Sequence, residues 1–148
     1  MNSILRALAI SALFNIMIVF AVLAIHETGH YLVGMYVGCE SAKVVLFDTS
    51  QEGPYTELQC FNVTNGLLPY AGSMLFTIGF GLLFLFFENA PERNLFWIVL
   101  GLSILTAGLD IVEITKIDIL YNVFVVSGLA LTAFGEIAFG ISFIKEEL

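Results

Sequence analysis

Residues 22 to 34 read VLAIHETGHYLVG. Two histidines and a glutamate sit in a stretch that is otherwise apolar, and the chain has no third histidine. Residues at i and i+4 share one helix face. His26 and His30 therefore stand one turn apart and point the same way. Two imidazoles at that spacing can clamp one zinc ion. Glu27, next to the first, can reach a water at the metal as general base, which is the HExxH arrangement. Zinc brings the pKa of such a water down to about 7. The competing reading is a histidine–glutamate pair decorating a helix surface. In a bilayer that reading is costly, at about 2.5 to 3.5 kcal/mol for a buried Asp, Lys or Arg.

Composition supports membrane placement. Of 148 residues, 59% are hydrophobic and 12% charged, against roughly 25% charged in soluble domains. A chain this short cannot bury that much apolar surface within itself, so lipid is its natural solvent. The net charge is −8, and the five cations are too few for nucleic-acid binding. Several of the acids lie in apolar surroundings, where they need not be ionised. Cys39 and Cys60 flank a polar segment without CxxC spacing. They are read as reduced bystanders, since pairing requires an oxidising compartment.

A spanning helix needs about 20 largely apolar residues. Four segments approach this: 4–37, 66–87, 94–114 and 119–144. The expected fold is an all-α polytopic membrane protein, a single domain over 1–148 with about four transmembrane helices. A polar loop, 38–65, separates the first two. Within it AKVVLFDTS and YTELQCFNVT are rich in β-branched and aromatic residues, with QEGP between them, and so predict a β-hairpin with a Gly-Pro turn. The connection ENAPER is short, with Pro91 marking a break. TKID is shorter still and makes the last two helices antiparallel neighbours. Val22 and Ala24 resemble a signal-peptidase site, but the apolar run is long for a signal segment, and the first helix is read as retained.

A catalytic zinc site takes three protein ligands and leaves one position open. The third ligand must be an acid or a cysteine. Asp110, in TAGLDIVEI, is the candidate, being set deep in the third apolar segment. Glu113 shares much the same face, as an alternative ligand or as a group orienting a histidine. Glu136 is a further intramembrane acid, open to a structural, proton-relay or pore role. Asn15 and Asn122 suit interhelical hydrogen bonds, and GSMLFTIGFG suits close helix packing by small residues.

These residues together resemble the site-2 protease family of intramembrane zinc metalloproteases. HETGH ends an apolar first helix, and a polar, strand-like loop follows. LPYAGSMLFTIG is similar to the family's Ala-Gly-Pro segment, with Ser73 in place of proline. GLDIVE is similar to its Leu-Asp-Gly segment, with Ile111 in place of glycine. The Asn-Pro element often found before the aspartate is absent. The resemblance covers roughly residues 10–115, and ENAPER is too short for a PDZ insertion, so the chain would be a minimal member.

The resemblance implies a multi-pass metalloprotease with zinc as cofactor, held by His26, His30 and Asp110, and with Glu27 as catalytic base. It implies a substrate that is a transmembrane segment of another protein, unwound near the metal. The hairpin would pair with that segment by β-augmentation. It also implies an active site towards the cytoplasmic side, which would leave the Asn62-Val63-Thr64 sequon unused. The cations divide three to two, with Arg6, Arg93 and Lys145 on one side and Lys43 and Lys116 on the other. On the positive-inside rule the excess faintly favours the opposite orientation. The C-terminal KEEL is read as a charged helix end. Two other functions use the same residues. One is a non-proteolytic metal-binding transporter or sensor, and the other is an inactive protease-like scaffold.

Overall fold

The computed structural model describes residues 3–46, 54–60 and 67–147. The side chains of 3–11, 67, 109, 112–114, 118, 146 and 147 lie outside that description. The Gly53 part of the expected turn, Asn62 of the sequon, the Glu113 side chain and most of KEEL therefore fall outside the described residues.

The element order is α1 (Ser3–Tyr36), β1 (Ser41–Val45), β2 (Tyr55–Gln59), α2 (Leu67–Leu83), α3 (Ala90–Thr115) and α4 (Asp118–Glu147). A single 3-10 turn, Phe84–Phe86, extends α2. The break expected near Pro91 falls between Phe86 and Ala90, and Pro91 itself sits in the first turn of α3, where its missing N–H is no loss and its fixed φ suits the helix. The turn from α3 to α4 is made at Lys116, whose φ of 56° ends the helix in the left-handed region.

Among the described residues, three helices are long and apolar enough to cross a membrane, over Ala12–Tyr36, Leu68–Phe86 and Ile119–Lys145. The remaining expected segment, 94–114, lies within α3. Leu95, Ile98, Val99 and Ala107 of α3 are buried, and α3 touches α1, α2 and α4.

Many large apolar side chains face outward, while several polar ones are buried. Leu13, Met17, Phe20, Leu75, Val126 and Ile137 are exposed, while Ser73, Thr77 and Ser103 are fully buried. The buried hydroxyls donate back to their own helices, Thr77 to the Ser73 carbonyl and Ser103 to the Val99 carbonyl. Along α1 the buried positions Ile18, Val22, His26 and His30 form one stripe, and Ile18 and Val22 pack on Leu95, Ile98 and Val99 of α3.

The α3–α4 pair is antiparallel. Trp97 stacks edge-on against Phe134, Gly101 meets Gly128 and Thr132, and Gly108 meets Phe124, so partner numbers fall as α3 numbers rise. A Cβ on Gly101 would lie 2.5 Å from the Thr132 backbone nitrogen, so the crossing requires glycine there.

Asn15 donates to Glu136 Oε2 at 3.0 Å, and Phe14 stacks on Phe139 beside it. This ties α1 to α4 and gives the two intramembrane polar groups to each other. Eleven residues along α1 separate Asn15 from His26, about 16 Å of helix rise, and the buried Ile18 and Val22 lie between them. Glu136 is thus a structural hydrogen-bonding group. Asn15→Leu is expected to lower stability by about 0.6 to 1.7 kcal/mol, measured by unfolding in mixed detergent, with Glu136→Gln close to wild type. Loss of bound metal in either variant would contradict this assignment.

β1 and β2 form an antiparallel ladder from Ser41↔Gln59 to Val45↔Tyr55. The ladder is closed at its open end by a disulfide between Cys39 and Cys60. The reading of these cysteines as reduced bystanders is thereby corrected. Pairing in the hairpin brings residues 21 apart in sequence together, a proximity that loop spacing alone does not reveal.

Candidate metal centre

His26 and His30 lie one turn apart on α1 with their rings edge to face, centroids 4.8 Å apart. Both are buried. The third member comes from α3. Asp110 Oδ2 lies 3.0 Å from His26 Nε2 and 3.2 Å from His30 Nε2, and the two Nε2 atoms are 3.2 Å apart. Three lone-pair-bearing atoms thus face one another across a nearly equilateral triangle.

That triangle can be tested against zinc. Bond lengths of about 2.0 to 2.1 Å in tetrahedral geometry require ligand atoms about 3.3 Å apart. The observed edges come within a few tenths of an ångström of this. Two imidazoles and one carboxylate also make a normal catalytic zinc set with one position left open. The residues present fit the ion. The same donor types also serve non-haem iron(II).

α2 supplies the supporting groups. Ser73 Oγ lies 3.2 Å from Asp110 Oδ2 and 2.7 Å from the Tyr70 carbonyl, so its hydroxyl can donate to the carboxylate. The Tyr70 ring packs edge-on against His30 at 5.3 Å, and the His30 imidazole hydrogen-bonds the backbone of Pro69. Nδ1 of His26 is buried and has no hydrogen-bond partner among the described residues. The close approach of α2 depends on Gly29, where an added Cβ would lie 2.6 Å from Ser73 Cα.

The hairpin reaches the cluster from the other side. Thr56 Oγ1 donates to Glu27, lying 2.7 Å from Oε2 and 2.9 Å from the backbone carbonyl. Glu27 itself is buried. The structure thus brings His26, His30 and Asp110 together, with Glu27 beside them in the chain. Glu136 lies apart with Asn15.

Thr56, Ser73 and Tyr70 are additions that sequence reading did not identify. Ser73 was visible as a small packing residue and as a departure from the proline of the family it resembles, and Thr56 carried no signal in a loop of ordinary strand-forming residues. Compared with protein-family models, curated proteins and solved structures, the chain finds no match.

Groups that orient metal ligands typically contribute 10- to 100-fold in affinity. Ser73→Ala is expected to weaken zinc binding by about that factor in a competition titration with a chelator. Gly29→Ala should weaken it at least as much, by forcing α2 away. Thr28→Ala, at an exposed position whose hydroxyl donates to the Ala24 carbonyl, should match wild type.

Proposed function

We propose that the protein is an intramembrane zinc endopeptidase that hydrolyses peptide bonds in transmembrane segments of other membrane proteins. One observation carries this reading. Donor atoms of His26, His30 and Asp110 converge at about zinc's ligand spacing, with Glu27 adjacent, inside a bundle whose outer surface is apolar. The resemblance of HETGH and GLDIVE to the site-2 protease family points the same way.

Zinc, when bound, supplies a water made acidic enough to ionise near neutral pH and polarises the scissile carbonyl. His26, His30 and Asp110 would hold it. Glu27 accepts a proton from the attacking water as oxygen adds to the carbonyl carbon. It returns that proton to the amide nitrogen as the C–N bond breaks. The base is regenerated and one water is consumed per bond. The apolar surround limits access to segments already in lipid. Such a segment must unwind first, because helical carbonyls are engaged in backbone hydrogen bonds. The hairpin edge offers the unwound strand new partners by β-augmentation.

The cleavage site lies towards the hairpin end of α1. Glu27 is nine residues from Tyr36, about 14 Å of rise, in a hydrocarbon core of about 30 Å. The resemblance puts that end in the cytoplasm, but two features favour the opposite side. Disulfides persist in oxidising compartments, and Cys39–Cys60 sits on the hairpin. Arg6, Arg93 and Lys145 lie on the other side, where the positive-inside rule places the cytoplasm. We therefore place the hairpin and the nearer face of the site in the oxidising compartment.

Glu27→Gln is expected to keep zinc and lose about 10²- to 10⁴-fold in cleavage of a transmembrane substrate. Cleavage at the wild-type rate would rule out the mechanism. Retained zinc without cleavage in the wild type would favour a transporter or sensor. For orientation, intact cells treated with an impermeant reductant and then an impermeant maleimide should label Cys39 and Cys60. Labelling only after lysis would restore the cytoplasmic placement.

A further inference from the structure

Resting on the proteolytic reading, we infer that Thr56 is the positioning residue for Glu27, a role carried by the hairpin rather than by the helices. The Glu27 side chain is long and flexible, buried, and set in an apolar bundle. Proton transfer needs its carboxylate in one place, and a buried carboxylate needs a hydrogen-bond donor. The Thr56 hydroxyl lies 2.7 Å from Oε2, a well-formed O–H···O hydrogen bond. Its single proton has two acceptors in reach, and the carboxylate is nearer than the backbone carbonyl at 2.9 Å.

The donor is itself firmly held. Threonine is β-branched, with restricted χ1, and Thr56 sits within the ladder opposite Val44. β2 is fixed to what surrounds it in three ways. The Cys39–Cys60 disulfide closes the ladder just past the end of α1. The Glu40 N–H donates to the Gln59 carbonyl at 2.9 Å. Leu58, two residues on and hence on the same strand face, fills the space above Gly34, where a Cβ would lie 2.6 Å from Leu58 Cδ2. Thr56 and Leu58 thus seat one strand face on α1. The hairpin that would receive substrate also fixes the group that transfers its proton.

A threonine that merely tied the hairpin to α1 through the Glu27 carbonyl would have the same contacts, and the experiment separates the two. In metal-free full-length protein, Thr56→Val, Glu27→Leu and the double variant form a thermodynamic cycle read by unfolding midpoint. Thr56→Val should lower the midpoint of the wild type clearly and that of Glu27→Leu much less. Equal shifts in both backgrounds overturn the proposal, because the carbonyl remains in both.

Kinetics on a synthetic transmembrane peptide carrying a fluorophore and quencher supply the second readout. Thr56→Val should lose about 10- to 100-fold in kcat, the scale of a misplaced catalytic group, with KM and zinc content unchanged. Thr56→Ser, which keeps the hydroxyl, should recover most of the loss. Wild-type kcat in Thr56→Val overturns the proposal. A wild type that cleaves no transmembrane peptide while the cycle still shows coupling overturns the proteolytic reading alone, since the cycle tests the Thr56–Glu27 contact without chemistry. Cleavage that survives Glu27→Gln overturns the positioning role, because Glu27 is then not the base.

Discussion

Two imidazole nitrogens and a carboxylate oxygen face one another at 3.0 to 3.2 Å in the interior of an apolar bundle. Such a cluster is expensive in a low-dielectric medium unless a positive charge sits among the donors. A proton can satisfy only one pair at a time, whereas a divalent cation satisfies all three. The arrangement of the other elements follows from holding this cluster together. α1 supplies two members at i and i+4, and α3 supplies the third. α2 must come close enough for Ser73 to reach Asp110, which Gly29 permits.

α3 lies against α1, α2 and α4, so Asp110 is carried towards the inside of the bundle. The helices around it carry the lipid-facing surface, with Leu13, Leu75 and Ile137 among their exposed side chains. The α4 side is fixed by small-residue packing and by the Asn15–Glu136 hydrogen bond, the latter remote from the His26–His30–Asp110 cluster. The hairpin is stabilised differently, by a disulfide, because a two-stranded sheet is marginal alone. Stiffness there matters because Thr56 touches Glu27.

How much of this was legible in the sequence depended on range. HETGH could be read because its information is local: helix periodicity alone aligns His26 with His30. Asp110 could be singled out by depth within an apolar segment, although its partner lies 84 positions earlier by residue number. The hairpin was legible from strand propensity on either side of the turn residues. What escaped was set by tertiary contact. The Cys39–Cys60 pairing requires strand register, and Thr56 is an ordinary strand residue until the hairpin docks on α1. Ser73 looked like a small packing residue and is also a hydroxyl donor to Asp110. The four apolar segments were legible from hydropathy alone, and each corresponds to one of the helices α1 to α4. That Asp110 meets both histidines is set by the packing of α3 on α1, while the Glu113 side chain lies outside the described residues.

The most direct test of the central claim is metal analysis with X-ray absorption on the purified protein, comparing the wild type with His30→Ala and Asp110→Ala. The account predicts one zinc per chain in the wild type, coordinated by two imidazoles and a carboxylate oxygen, with the ion lost or greatly weakened in both variants. Iron at the same ligands would keep the site and change its chemistry. A wild-type protein that takes up no divalent metal, or one whose metal environment is unchanged by Asp110→Ala, would contradict it.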